Sequence, residues 1–163
     1  LFQSSTFADD KQKKLLRGKV KSYVEVHGVA SFTDTFVPTL FAHANKTLLK
    51  KEIKILQLEA KKTQPQGVIA FSMAMKSRPD RLHILKNFQN PVFIIGGEED
   101  SAVPIEISSK MIKNINNGES IILKNTGHNG FLEKEKESLF FISNFLYKYL
   151  GESKNHLNNE NTR

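Results

Sequence analysis

The sequence predicts an α/β domain in which a helical block precedes the last strands and helices of a mainly parallel sheet. Two observations predict this class. The first half of the chain places its apolar residues at helical spacing, and the second half contains two short, β-branched apolar runs, "PVFIIGG" and "ESIILK", typical of strands buried on both faces. A helical segment follows each run, and the order strand, helix, strand, helix implies a right-handed crossover between parallel strands.

The first half predicts four helices with short connections. The first covers residues 9–26 and ends at Gly28, because glycine readily adopts the left-handed conformation of a helix C-terminal cap. The second and third cover about residues 30–41 and 47–62. The fourth lies in "GVIAFSMAMKSRPDR" and ends before Pro79, since a proline forces the preceding residue out of the helical region.

The second half predicts the sheet. Its first strand starts at Pro91, a helix begins near Pro104, and a last helix follows the second strand over about residues 132–150. Two strands, or three if Leu1 and Phe2 end another, do not make a stable sheet by themselves. Further strands are therefore expected before Leu1.

Composition excludes several functions. The chain has no cysteine, which rules out disulfides and thiolate metal sites and suits a cytoplasmic location. Its 39% hydrophobic and 25% charged residues are typical of a soluble globular protein. No apolar run reaches the length of about 18 residues that a membrane span needs, and the opening residues lack the pattern of a signal peptide.

The net charge of +7 raises the question of a nucleic-acid partner. The excess lies in runs such as "KQKKLLRGKVK", where lysines alternate with apolar residues as on the exposed face of an amphipathic helix. No aromatic residues are interleaved with these lysines, and no nucleic-acid motif is present. No nucleic-acid partner is expected.

Polar residues follow both predicted strands at the points where reacting groups gather in parallel sheets. The first strand ends in "GGEED" and the second in "NTGHNG", so Asp100 and His128 are expected to face each other. An aspartate that accepts from one ring nitrogen leaves the other free to take a proton from a nucleophile. Glu98 and Glu99 are alternative acids, with Asp100 preferred.

These residues resemble the C-terminal part of the α/β-hydrolase family, in which a nucleophile precedes the acid and the histidine. The resemblance covers nearly the whole chain to about Leu150. Its motifs are an arginine-proline-aspartate before a helix, a Pro-Val strand, an acid three residues after a glycine, a proline four residues further on, and a glycine-histidine before the last helix. In this sequence they are Arg78 to Asp80, Pro91 and Val92, Gly97 and Asp100, Pro104, and Gly127 and His128.

The resemblance implies a partial α/β-hydrolase fold with four parts. These are the end of the sixth core strand with the lead into the cap, the helical cap or lid, the C-terminal part of the core, and a flexible tail, at residues 1–8, 9–77, 78–150 and 151–163. It further implies a serine hydrolase acting on a small ester or amide, like a carboxylesterase. Asp100 would be the triad acid, His128 the general base, and the partner would be the upstream half of the same domain.

The sequence departs from the family pattern at the nucleophile. It contains no Gly-x-Ser-x-Gly motif, and its His-Gly pair at residues 27–28 ends a predicted helix and does not form the segment that would supply an oxyanion hole. Ser72 in "AFSMAM" lies on a predicted helix. This chain alone is therefore expected to be inactive. An upstream aspartate nucleophile would instead make a dehalogenase or an epoxide hydrolase, and a non-catalytic fragment or interaction module is the remaining alternative.

Other side chains carry weaker predictions. Phe32 and Phe36 are candidates for a substrate pocket beneath the cap, and so, less specifically, are Phe41 and Phe71. No cofactor is expected, and the five histidines show no spacing that argues for a metal. Surface or capping roles are expected for the remaining four, His27, His43, His83 and His156.

Overall fold

The computed structural model describes residues 1–160, with side chains described as far as Gly151. Residues 9–77, here called the helical block, contain four α-helices and one 3₁₀ helix. They are α1 (Lys11–Phe36), the 3₁₀ helix (Val37–Leu40), α2 (Asn45–Leu48), α3 (Lys50–Ala60) and α4 (Pro65–Ser77). The helical character predicted for the first half of the chain is thus confirmed.

The bounds of these helices differ from the prediction in three places. Helix α1 includes a kink at Gly28, where φ is 74°, so the predicted end of the first helix is present and a second helix follows directly. That second helix ends at Phe36, since Pro38 lacks the N–H that an α-helix needs and the chain tightens into the 3₁₀ turn. The predicted third helix is interrupted at Leu49, and the fourth begins two residues early, at Pro65.

The rest of the chain alternates helices with two strands. These elements are α5 (Leu82–Asn87), β1 (Val92–Gly97), α6 (Ile105–Ile112), β2 (Gly118–Leu123), α7 (Gly130–Glu133) and α8 (Glu135–Glu160). The two strands are parallel, with Val92 opposite Gly118 and Gly97 opposite Leu123. The carboxyl ends of β1 and β2 therefore lie side by side, and the loops that follow them start from neighbouring points.

The opening residues add a third strand position to the sheet. Phe2 forms a parallel bridge with Ile95, the Gln3 N–H donates to the Ile95 carbonyl at 2.7 Å, and the Ile95 N–H donates to the Leu1 carbonyl at 3.0 Å. Since β2 occupies its other edge, β1 is central. Two of its apolar side chains, Ile94 and Ile95, are only 1% and 2% exposed, as expected for a strand buried on both faces.

Two clusters of buried apolar residues support the two parts of the chain. Val37, Phe41 and Ile53 form the core of the helical block. A second cluster, of Leu85, Ile94 and Met111, joins α5, β1 and α6. The site described below lies where the elements carrying these clusters meet.

The last helix is longer than predicted. It begins at Glu135 after the single turn of α7 and continues to Glu160. A frayed tail was expected from residue 151; its last residues, 161–163, lie outside the described residues, as does the side chain of His156. Among the described residues, no helix combines the length and the apolar character that crossing a bilayer requires.

Candidate active site

The loop after β1 holds Asp100 in a fixed position. One carboxylate oxygen, Oδ1, accepts hydrogen bonds from the backbone N–H groups of Ala102 and Val103, both at 2.8 Å. Such contacts from an aspartate to the residues after it are typical of a tight turn. The Asp100 side chain is completely buried, at 0% exposure, so its second oxygen is shielded from water.

That second oxygen contacts His128, which follows β2. The distance from His128 Nδ1 to Asp100 Oδ2 is 2.8 Å, and the His128 side chain is 30% exposed. An ionised carboxylate only accepts hydrogen bonds, so Nδ1 carries the proton and Nε2 of the neutral ring carries the lone pair. The expectation that the two residues face each other is met, and the pair presents a basic nitrogen.

Glu133 braces the histidine loop, and sequence reasoning missed it. Its Oε1 accepts from the Gly127 N–H at 2.9 Å and from the Asn129 N–H at 3.3 Å, one on each side of His128. Its Oε2 accepts from the Ala42 N–H and from Asn45 Nδ2, both at 2.8 Å. One carboxylate therefore ties the histidine loop to the helical block.

Gln3 was also missed. Its amide Nε2 donates to the Gly127 carbonyl, and its Oε1 accepts from the Gly130 N–H at 2.7 Å. The residue is only 4% exposed, so these bonds are protected from water. The one sequence signal for Glu133 was that this acidic residue follows His128 closely in the chain. For Gln3 there was no such signal, because its partners Gly127 and Gly130 are far away in sequence.

A cavity of about 720 Å³ lies between the helical block and the loops after the strands. His128 lines it, and so do Phe32 and Phe36, whose rings stack with centroids 5.0 Å apart. Phe71 also lines this cavity, whereas Phe41 is buried in the core of the helical block. The histidine and both phenylalanines predicted to bind substrate therefore share one cavity.

Two arginines also line the cavity. Arg17 Nε lies 2.9 Å from Asp9 Oδ2, and Arg78 Nη2 lies 2.8 Å from Asp9 Oδ1. Burial alone would raise the pKa of Asp9, but hydrogen bonds and charge from the two guanidinium groups outweigh it and lower the pKa below its usual value. Asp9 is therefore held as a carboxylate.

The other sequence candidates lie elsewhere. Glu98 and Glu99 accept from the backbone N–H groups of Asn125 and His43, and neither contacts His128. Ser72 lines the cavity, but it is buried on α4 and its hydroxyl donates to the Arg17 carbonyl at 3.2 Å. The exposed histidines at other positions are His27, His43 and His83. The described residues contain no cluster of three or more His, Asp or Glu side chains arranged to hold a metal ion.

An acid followed by a histidine, placed after neighbouring strands of a parallel sheet, is the order found in the α/β-hydrolase class. The family model described as TAP-like protein matches residues 70–154, slightly more than half of the chain. The chain therefore belongs to the α/β-hydrolase family.

Several solved structures share this fold. They include a thermophilic esterase from Thermogutta terrifontis with malate bound, at a TM-score of 0.80 and 22% identity, covering 88% of this chain and 53% of that one. The enol-lactonase from Burkholderia xenovorans LB400 has a TM-score of 0.78 and 14% identity, and the match covers 88% of this chain and 54% of that one. A bromoperoxidase from Bacillus anthracis has a TM-score of 0.72 and 22% identity, and the match covers 87% of this chain and 54% of that one. The chain thus spans about half the length of these structures. A comparison with curated proteins found no match.

Proposed function

We propose that this chain supplies the acid, the base and the cap of a serine hydrolase that acts on a small ester or amide, in the manner of a carboxylesterase. The observation that carries the proposal is the 2.8 Å hydrogen bond between His128 Nδ1 and the buried carboxylate of Asp100, beside a cavity lined by apolar residues. The pair leaves Nε2 as a base in a site with room for a substrate.

In the proposed mechanism a serine outside this sequence is the nucleophile. His128 Nε2 takes the proton from the serine hydroxyl while the serine oxygen bonds to the carbonyl carbon, giving a tetrahedral intermediate. That intermediate collapses as the bond to the leaving group breaks, and His128 returns the proton to the leaving group. Water then repeats the sequence on the acyl-enzyme, which releases the acid and restores the serine. Asp100 holds the ring and stabilises the imidazolium that forms.

The upstream half of the same domain is the proposed partner of this chain. Helix α8 exposes large apolar side chains, among them Leu139 at 63% and Tyr147 at 81%. A soluble fold does not usually leave such a row uncovered. We propose that the upstream half covers it and that the helical block acts as a cap that excludes water from the cavity.

Fluorophosphonate labelling of the complete gene product tests the proposal, because the probe reacts only with an activated serine. Mass spectrometry locates the label, with His128→Ala as the test variant and His83→Ala, which removes an exposed histidine of α5, as the matched control. We expect a label on a serine outside residues 1–163 that is lost in His128→Ala and kept in His83→Ala.

The other outcomes separate the alternatives. A label that survives His128→Ala contradicts the assignment of the base. The absence of any label on a folded protein overturns the serine mechanism. An aspartate nucleophile, as in a dehalogenase or epoxide hydrolase, would then show itself by turnover of haloalkanes or epoxides, and a protein inactive on those substrates as well would be a non-catalytic member of the family.

A further inference from the structure

The permanently charged side chains that line the cavity in the described part of the chain are all positive. Among its described lining residues, Arg17 and Arg78 carry positive charge, and no Asp or Glu is present. Most of the remaining lining is apolar, including Phe32, Phe36 and Val103. A cavity that needed only to hold a neutral acyl chain would gain nothing from two guanidinium groups in its wall.

The buried carboxylate behind the wall neutralises only part of this charge. Asp9 is 0% exposed at its side chain and accepts one hydrogen bond from each arginine. One negative charge therefore faces two positive charges, and the group of three retains a net charge of +1. The two arginine side chains remain 24% and 30% exposed, and both line the cavity.

Asp9 uses only part of the hydrogen-bond donors of Arg17 and Arg78. Each guanidinium has five N–H donors, and among the described residues each makes a side-chain hydrogen bond to Asp9 alone. Nε of Arg78 is buried and has no hydrogen-bond partner. A second carboxylate could accept from the guanidinium N–H groups that do not contact Asp9, in charge-assisted hydrogen bonds.

Neighbouring side chains reinforce the positive field. A second cavity of about 520 Å³ shares Arg17, Phe32 and Phe36 with the first and is also lined by Lys13 and Lys19. Lys13 Nζ donates to the Ala102 carbonyl at 3.0 Å, which holds its charge beside the loop of Asp100. No acidic residue is present in the described lining of this second cavity.

We propose that the substrate carries a carboxylate and that Arg17 and Arg78 bind it while His128 acts on the ester or amide bond. This inference rests on the proposed hydrolase function and adds the substrate class, a half-ester or half-amide of a dicarboxylic acid or an ester of a carboxylate-bearing alcohol. Asp9 positions the two guanidinium groups and keeps them from repelling each other.

The test compares matched esters that differ in one charge, using the complete gene product. On the acyl side the pair is 4-nitrophenyl hydrogen glutarate and 4-nitrophenyl pentanoate. On the alcohol side the pair is 4-acetoxybenzoate and its methyl ester. We expect kcat/KM to favour the anionic member of at least one pair by about tenfold or more, the size of one charge-assisted hydrogen bond. Equal rates within both pairs overturn the proposal.

The variants Arg17→Gln and Arg78→Gln test whether these two residues bind the substrate carboxylate. The ratio of anionic to neutral turnover is measured on each variant, so that a loss of folded protein cancels. Arg81→Gln is the matched control, because it removes the same charge from an exposed residue that does not line this cavity. We expect the ratio to fall toward one in the two test variants and to stay unchanged in the control; an equal fall in all three overturns the proposal.

A binding measurement separates this inference from the proposed function. If no ester is turned over, the hydrolase proposal fails, and the anion site is tested by NMR titration with methyl hydrogen glutarate and methyl pentanoate. Binding of the anionic ester alone, weakened in Arg78→Gln and kept in Arg81→Gln, supports the site. Equal binding of both esters, or of neither, overturns it.

Discussion

The backbone N–H of His128 donates a 2.6 Å hydrogen bond to the carbonyl oxygen of Leu40. Leu40 ends the 3₁₀ helix of the helical block, so the loop that carries the histidine is bonded directly to the predicted cap. Gly127 makes this approach possible, since a Cβ atom at that position would lie 2.5 Å from the Leu40 carbonyl oxygen. The position of the histidine therefore depends on close packing between two parts of the chain.

The variant Gly127→Ala should disrupt the packing between the histidine loop and the helical block. The added methyl group would also lie 2.6 Å from the Ala42 nitrogen, and backbone atoms cannot move aside cheaply. We expect a loss of roughly 1–3 kcal/mol in the free energy of unfolding, as for other overpacked sites. Urea unfolding measures it. Gly67→Ala is the control, because its Cβ would meet nothing closer than 3.5 Å in α4. Equal stability of Gly127→Ala and the unmodified protein would contradict this account.

Asp100→Asn should abolish most of the activity without unfolding the protein. The asparagine oxygen can still accept from Ala102 and Val103, but its NH₂ group would face His128 Nδ1 and force the proton onto Nε2. We expect kcat to fall by about 10³ to 10⁴, as when a triad acid is neutralised.

Steady-state ester hydrolysis by the complete gene product measures this effect, with circular dichroism to verify the fold. Glu99→Gln is the control, since Glu99 is a neighbouring exposed acid that contacts the His43 N–H instead. A similar loss in both variants would show that Asp100 has no special role.

Replacing Glu133 should weaken the histidine loop. Glu133→Gln keeps the size of the side chain, but its NH₂ group cannot accept from the N–H groups that one carboxylate oxygen now binds. We expect about 1–3 kcal/mol of lost stability, the cost of buried donors left unsatisfied, together with a lower kcat. Glu135→Gln, at the exposed start of α8, is the control. The bracing role is wrong if the melting temperature and kcat of Glu133→Gln match those of Glu135→Gln.

Stability at acid pH should depend on Asp9. Its pKa is lower in the folded protein than the ordinary value of 3.8, so the folded state favours the ionised form. The resulting stabilisation is fully present above about pH 4 and is lost as the pH falls through the folded-state pKa.

Asp9→Asn should remove this part of the pH dependence. We expect the variant to be less stable at neutral pH and to lose less stability on acidification than the unmodified protein, as followed by thermal unfolding between about pH 2 and pH 7. Asp10→Asn is the control, because asparagine can replace Asp10 as the N-cap of α1. Parallel pH profiles for Asp9→Asn and the unmodified protein would refute the prediction.

The parts of the site that could be predicted from sequence depend on local pattern. The β-branched run of β1 and the parallel order place Asp100 and His128 after adjacent strands, whatever the rest of the chain does. The roles of Gln3 and Glu133 could not be predicted, because each depends on backbone groups far along the chain. The break at Leu49 was missed for a related reason, since helical spacing alone continues across it.

The hydrogen bonds around the histidine join residues that are far apart in sequence. Gln3 and Gly130 are 127 positions apart, and Ala42 and Glu133 are 91 positions apart. Contacts of this kind form late, because the entropy of closing long loops must be overcome before they stabilise the chain. The helices can form early from neighbouring residues, but the environment of His128 forms only when the segments around Gln3, Ala42 and Gly130 have come together. The NMR signal of the His128 ring should therefore appear last during refolding and report on completion of the native state.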